Sequence, residues 1–174
     1  EPADVEAGAA LVLGLLHAHR LGEARLMVSR LRQIPGEAEN PLTDFVDGRL
    51  AVDVEEPHRA LVLYQRSLAR AIADGRGDLV PQVRASRGRL LAKSGQRDEG
   101  SREMATAAKE FEAAGHHVSL SNTLNEIAIE HLQHGDYDQG TALLRPSIEV
   151  GKLGGASLRL PLLNLGILET LLGR

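Results

Sequence analysis

The stretch Ala128-Ile129-Glu130-His131-Leu132-Gln133-His134-Gly135-Asp136-Tyr137-Asp138-Gln139-Gly140 decides the reading of this chain. It opens and closes on small residues, and a Gly-Asp turn signal separates two helix-forming runs. The same pairing of small residues twelve positions apart occurs earlier as Gly48/Ala60 and Gly88/Gly100, so the pattern returns at intervals of 40. A fixed period of that length marks stacked supersecondary units. Four positions after the second small residue comes a large apolar one (Tyr64, Met104, Leu144), and seven positions after it a small one (Ser67, Ala107, Ser147). That phasing is helical and belongs to two helices that cross closely.

Composition agrees. The chain has 174 residues, 43% of them hydrophobic, enough to bury a core, and only 2% are aromatic. Ala, Leu, Glu and Arg dominate, which favours helix over sheet. With 24 acidic against 20 basic side chains, the formal net charge of -4 repels nucleic-acid phosphates, so a DNA or RNA partner is not expected. Cysteine is absent, which fits a cytoplasmic protein. The longest apolar run, Ala9 to Leu16, falls far short of the roughly 18–20 residues of a membrane span, and no membrane partner is expected. Lysine occurs only at Lys93, Lys109 and Lys152, the remaining basic residues being Arg, which points to a GC-rich genome and a bacterium.

Punctuation divides the chain into helices. The first two run from about Asp4 to His19 and from Glu23 to Ile34, closed by Pro35-Gly36. Asn40-Pro41 supplies an N-cap and a proline in the first turn for a helix to about Val54, and Glu56-Pro57 opens its partner, which ends near Asp74-Gly75. Helices from Asp78 to Lys93 and Asp98 to Ala114 follow, then one from Ser119 or Ser121 to His134 and one from Tyr137 to Leu153. Pro146 inside the last of these predicts a kink or an unpaired carbonyl. Ser157 to Leu172 starts a helix with no partner. The expected architecture is all-α, with about nine helices in one domain over 1–174. Its repeats lie at about 4–36, 40–75, 78–115 and 118–155, with a half repeat at 157–174.

The turn from His134 to Gly140, the small-residue pairs and the Leu165-Gly166 dipeptide resemble the tetratricopeptide repeat, a helix-turn-helix unit of about 34 residues. Equivalent small residues (Val12, Gly48, Gly88, Ala128, Gly166) are separated by 36, 40, 40 and 38, longer than that repeat. Long repeats of this kind resemble those in regulatory regions of bacterial signalling proteins and transcription activators. The resemblance implies a right-handed superhelical solenoid of antiparallel hairpins that binds protein or peptide. The position before the small residue is commonly Leu in the family; here it is Leu11, Asp47, Arg87, Ile127 and Leu165. Asp47 and Arg87, at equivalent places in adjacent repeats, are expected to pair across the stack; the alternative is that both point to solvent.

The resemblance also implies that the first helix of each hairpin lines a groove, and helical periodicity then selects the residues on that face. They are Leu42, Phe45, Arg49, Val52 and Asp53 in one repeat, and Gln82, Ala85, Arg89, Ala92 and Lys93 in the next. In the fourth they are Asn122, Asn125, Ile129, Leu132 and Gln133, with Asn164 at a similar place further on. Arg49 and Arg89 offer guanidinium forks to carboxylates, and the Asn amides both donate to and accept from a peptide backbone. Together they describe a groove that prefers acidic or carboxylate groups, unless Arg49 pairs with Asp53 four residues on.

Other chemistry is thin. His131 and His134 share a helical face with His116-His117 just ahead, but no carboxylate is spaced to complete a metal set, so no metal or other cofactor is expected. Gly151 to Gly155 lack the Gly-Lys-Ser/Thr ending of a phosphate loop and read as a helix stop. Loops of two to five residues leave no room for a catalytic constellation, and no enzymatic activity is expected. The last helix carries Leu158, Leu160, Leu162, Leu163, Leu165, Ile167, Leu168, Leu171 and Leu172, apolar on nearly every side, where a terminal repeat presents a polar face. With a start at Glu1-Pro2, this predicts a fragment of a longer repeat protein and a homodimer formed through apolar terminal helices. Three functions fit the sequence: a peptide-binding module, a ligand-sensing regulatory domain, and an oligomerisation scaffold.

Overall fold

The computed structural model describes residues 2–37 and 39–173, and side chains from Val5 onward; Glu1 and Arg174, at the ends of the expected array, lie outside the described residues. The described residues form nine α-helices: α1 (Pro2–His17), α2 (Leu21–Gln33), α3 (Pro41–Asp53), α4 (Pro57–Ala73), α5 (Val80–Lys93), α6 (Arg97–Ala113), α7 (His117–Gln133), α8 (Tyr137–Gly154) and α9 (Arg159–Leu171). The expected boundaries hold to within a few residues. The start of α7 moves ahead of Ser119 because no side chain caps the helix and the chain turns helical directly after His116. Two compact units divide the chain, Glu1–Leu90 (unit 1) and Leu91–Arg174 (unit 2), where the sequence suggested one array.

Local chemistry sets the helix ends. The Asn40 side chain accepts from the Leu42 N–H at 2.8 Å, and Pro41 occupies the first turn, where its missing N–H costs nothing. The turn inside each hairpin needs one residue with left-handed backbone. It is His19 (φ 55), Glu55 (φ 61), Gly95 (φ 88) and Gly135 (φ 80), and Gly173 (φ 68) stands at the equivalent place after α9. Their separations, 36, 40, 40 and 38, repeat those of the small residues, so turn and helix crossing share one period. Pro146 leaves α8 unbroken from Tyr137 to Gly154 and removes the donor that the Ala142 carbonyl would otherwise meet.

In unit 1, α1 pairs with α2 and α3 with α4, and α1 and α2 also pack on α3. Their apolar faces form one core that includes Val12, Leu31, Phe45, Leu50, Tyr64 and Leu68. Gly48 lets α4 approach: a Cβ there would lie 2.6 Å from the Tyr64 ring. In unit 2, α7 packs on α6, α8 and α9. Here Ala128 takes the place of Gly48, and Leu144 that of Tyr64, so a larger helix-crossing residue faces a smaller partner. The serines that follow are equivalent as well. Ser67 donates to the Pro41 carbonyl at 2.7 Å, and Ser147 to the Ser121 carbonyl at 2.8 Å, satisfying buried hydroxyls where the helices touch.

Candidate functional site

The groove residues expected from the sequence divide between the two units and between core and surface. In unit 1, Phe45 is 3% exposed and tilts against Tyr64 with ring centroids 6.2 Å apart, so it belongs to the core. Ala85 is buried, and Gln82 is exposed and donates to the Asp78 carbonyl at 3.0 Å. Arg49 and Arg89 are half-buried, Asp53 is exposed, and all three act on one group. Burial pushes the Tyr64 hydroxyl up to about 12, the Arg49 and Arg89 guanidiniums oppose that rise, and the Asp53 carboxylate adds to it. In unit 2, Asn125 is 6% exposed, and its Oδ1 accepts from Asn164 Nδ2 at 2.9 Å, bringing together residues of α7 and α9. Asn122 is exposed one turn before Asn125, and Ile129 is half-buried one turn after it.

The pairing of Asp47 with Arg87 is corrected. Asp47, 3% exposed, is held by Arg59 Nη2 at 2.6 Å and Arg32 Nη2 at 2.8 Å. These arginines come from the flanking helices α4 and α2, which crowd α3 from both sides. Asp44, fully buried one turn earlier, takes Arg32 at 2.7 Å, Arg70 at 2.9 Å and both arms of Arg66, one of them at 2.6 Å. Sequence reasoning missed this network. Its signal was present: Asp44 and Asp47 three apart on α3, with Arg66 and Arg70 four apart on the following helix.

Beside the network, α2, α3 and α4 enclose a crevice of about 510 Å³ lined by Arg25, Val28, Ser29, Arg32, Asp47, Leu50, Glu56 and Arg59. Its counterpart in unit 2, among α6, α7 and α8, measures about 540 Å³. There the walls are apolar: Leu120, Leu124, Ile127, Leu143, Pro146 and Val150, with Lys109, Glu112, His131 and Gln139 among the polar lining. A third recess, of about 550 Å³, runs along α9 over Leu162, Leu163, Gly166, Ile167, Thr170 and Leu171.

His131 and His134 have local contacts. His134 Nδ1 contacts the Glu130 carbonyl at 2.7 Å, and His131 Nδ1 lies 3.5 Å from Asp136 Oδ2, a charge contact rather than a good hydrogen bond. Arg97, at 3.0 Å, is the larger reason the Asp136 carboxyl stays below its ordinary range, with His131 adding to it. Among the described residues no group of three or more His, Cys, Asp or Glu converges on a metal position, and no helix is long and apolar enough to cross a membrane.

No protein-family model and no curated protein sequence matches the chain. Solved structures do. BtubC (BKLC) from P. vanneervenii superposes with a TM-score of 0.76 at 14% identity, over 97% of this chain and 73% of its own. The kinesin light chain from Podosopora anserina, with nearly identical TPR-like repeats, gives 0.71 at 14% identity over 99% and 89%. The signal transduction ATPase with a tetratricopeptide repeat sensor from Pyrococcus horikoshii gives 0.65 at 15% identity over 84% of this chain and 24% of its own. At such identities the likeness speaks for the backbone alone, and with the recurring turns and helix crossings it shows that the chain has an all-α, tetratricopeptide-like helical-repeat fold.

Proposed function

We propose that the chain is a non-enzymatic protein-interaction module that takes an extended peptide along α7 and α9. The observation that carries this reading is the Asn125–Asn164 hydrogen bond. It uses one acceptor and one donor, leaving the Asn125 amide N–H groups and the Asn164 carbonyl to face a ligand. Neither has a partner among the described residues, and neither is closed off from solvent. A donor beside an acceptor is the complement of a peptide unit, which offers C=O and N–H in the same way. Asn122 adds a further amide and Ile129 an apolar contact along the same helix. The net charge of -4 supports a protein partner over nucleic acid.

The test is to pan a random peptide library against the protein and measure the enriched sequences by calorimetry. A set of related sequences is expected to enrich, and Asn125→Ala or Asn164→Ala is expected to weaken them about tenfold, the loss of one to two hydrogen bonds. Affinity unchanged from the wild type in both variants would refute the reading.

A second reading rests on α9. Leu160, Leu162, Leu163, Ile167 and Leu171 are all exposed, Leu160 at 60%, around a glycine with nothing within 4 Å of its would-be Cβ. An apolar stripe of this kind favours self-association, which makes the chain a scaffold. Light scattering across a dilution series tests it. A dimer that Leu163→Glu dissolves supports the scaffold, and a monomer at every concentration sinks it.

A further inference from the structure

The crevice among α2, α3 and α4 combines three features that no groove reading uses. Its walls carry the guanidiniums of Arg25, Arg32 and Arg59 against the carboxylates of Asp47 and Glu56, which leaves one positive charge over. Two of the arginines are held in place: Asp47 fixes Arg32 and Arg59 at 2.8 and 2.6 Å, and Glu56 takes a second arm of Arg59 at 2.9 Å. Those bonds occupy one N–H on each terminal nitrogen of Arg59, so the fork retains donors in a fixed orientation. Arg25 lines the same space, is exposed, and has no hydrogen bond or ion pair among the described residues. Ser29, one turn further along α2, adds a hydroxyl.

We propose that this crevice is a binding site for a single carboxylate, presented by an acidic side chain of a partner protein, with Arg25 and Arg59 as its two anchors. A carboxylate accepts bidentate guanidinium contacts, and a surplus of one charge suits a monoanion. The buried Asp47 contributes by preorganisation: the arginine beside it is already ordered, so less side-chain freedom is lost on binding. Asp47 therefore acts as a positioning residue and touches no ligand. The site is separate from the α7 and α9 amides and does not depend on them. A chain of formal net charge -4 attracts an acidic segment only where its cations are gathered, and the cations here line an open crevice of about 510 Å³.

The probe is a hexaglutamate peptide, with hexaglutamine as the uncharged control, titrated into the full isotope-labelled chain and followed by NMR. The Arg25 and Arg59 Nε–Hε signals and the Ser29 amide are expected to shift saturably with hexaglutamate and to stay in place with hexaglutamine. Arg25→Gln, on an exposed side chain with no partner to lose, is expected to weaken binding about tenfold, and Arg25→Lys to restore it only in part. The Asn125 and Asn164 side-chain amides, followed in the same titration, report separately on any binding along α7 and α9, which distinguishes failure of this site from failure of the peptide reading above. Shifts centred on Arg49 and Arg89, unchanged affinity in Arg25→Gln, or no saturable binding would each overturn the proposal.

Discussion

The two crevices occupy the same register of the repeat and are built from opposite chemistry. Asp44 and Asp47 on α3 correspond to Leu124 and Ile127 on α7, and Arg59, Arg66 and Arg70 on α4 to Gln139, Pro146 and Val150 on α8. Arg32 on α2 corresponds to Ala108 on α6. In unit 1 guanidinium arms close on buried carboxylates beside the crevice; in unit 2 those arms are absent and the walls are mostly hydrocarbon. What the two share lies at the helix crossings, where Ser67 and Ser147 make the same hydrogen bond and where Gly48 with Tyr64 answers Ala128 with Leu144. The repeat thus specifies the crossing and the turn, and leaves the crevice free to vary.

The sharpest way to break this comparison is to remove one side of the ionic network. Asp44→Ala is expected to destabilise unit 1 by about 3–5 kcal/mol, because it leaves three arginines, from α2 and α4, facing a site without its anion. Replacing the whole ionic set, with Asp44→Leu, Asp47→Ile, Arg32→Ala, Arg59→Gln, Arg66→Gln and Arg70→Val together, is expected to cost only about 1–2 kcal/mol, since the carboxylates leave together with the arginines that hold them. Urea unfolding of both variants checks the pair. A combined variant less stable than Asp44→Ala would mean that the two crevices are not interchangeable solutions.

Alkaline pH separates the units at the helix crossing, where Tyr64 titrates and Leu144 does not. The folded-state value of about 12 lies above the ordinary 10, so folding favours the neutral phenol. That stability is fully present below pH 10 and is lost as pH rises through about 12. Two pKa units correspond to about 2–3 kcal/mol. The urea midpoint of the wild type is expected to fall over this window more than that of Tyr64→Phe, and parallel curves would contradict the assignment.

Smaller effects probe the period itself. Gly48→Ala sets a Cβ 2.6 Å from the Tyr64 ring and is expected to cost about 1–3 kcal/mol, a loss that adding Tyr64→Leu relieves toward the Ala128/Leu144 solution. Gly166→Ala, at the equivalent place on α9 where nothing lies within 4 Å, is expected to stabilise by about 0.5–1 kcal/mol through helix propensity. A change of the same size is Glu55→Gly. It replaces a side chain held at φ 61 by the residue that serves at Gly95 and Gly135, and a gain of about 0.5–1 kcal/mol in thermal or urea unfolding is expected.

The fold was legible because its determinants are local. Small residues at helix crossings, Gly-Asp and Ser-Gly turns, and Asn-Pro or Glu-Pro starts each act within a few residues of chain, so their period shows in the sequence. The groove face was harder to read. Helical periodicity placed Phe45 on an open face, yet the close approach of α4 at Gly48 brings Tyr64 over it and closes that face. Asn125 and Asn164 were each named as candidates, but their direct hydrogen bond depends on how α7 meets α9, which no local pattern states. Asp47 was assigned Arg87 because repeat register suggested it. The register fixes position along the stack and is silent on which flanking helix reaches the carboxylate first, and the arms of Arg32 and Arg59 do.

The most direct test of the central claim is an NMR titration with a peptide selected by panning, read at the side-chain amides of Asn125 and Asn164. The account predicts that both Nδ2 signals shift together along one saturation curve, and that Asn125→Ala weakens binding and removes the response at Asn164. A selected peptide that binds with both amides unmoved would contradict it and place recognition elsewhere on the chain.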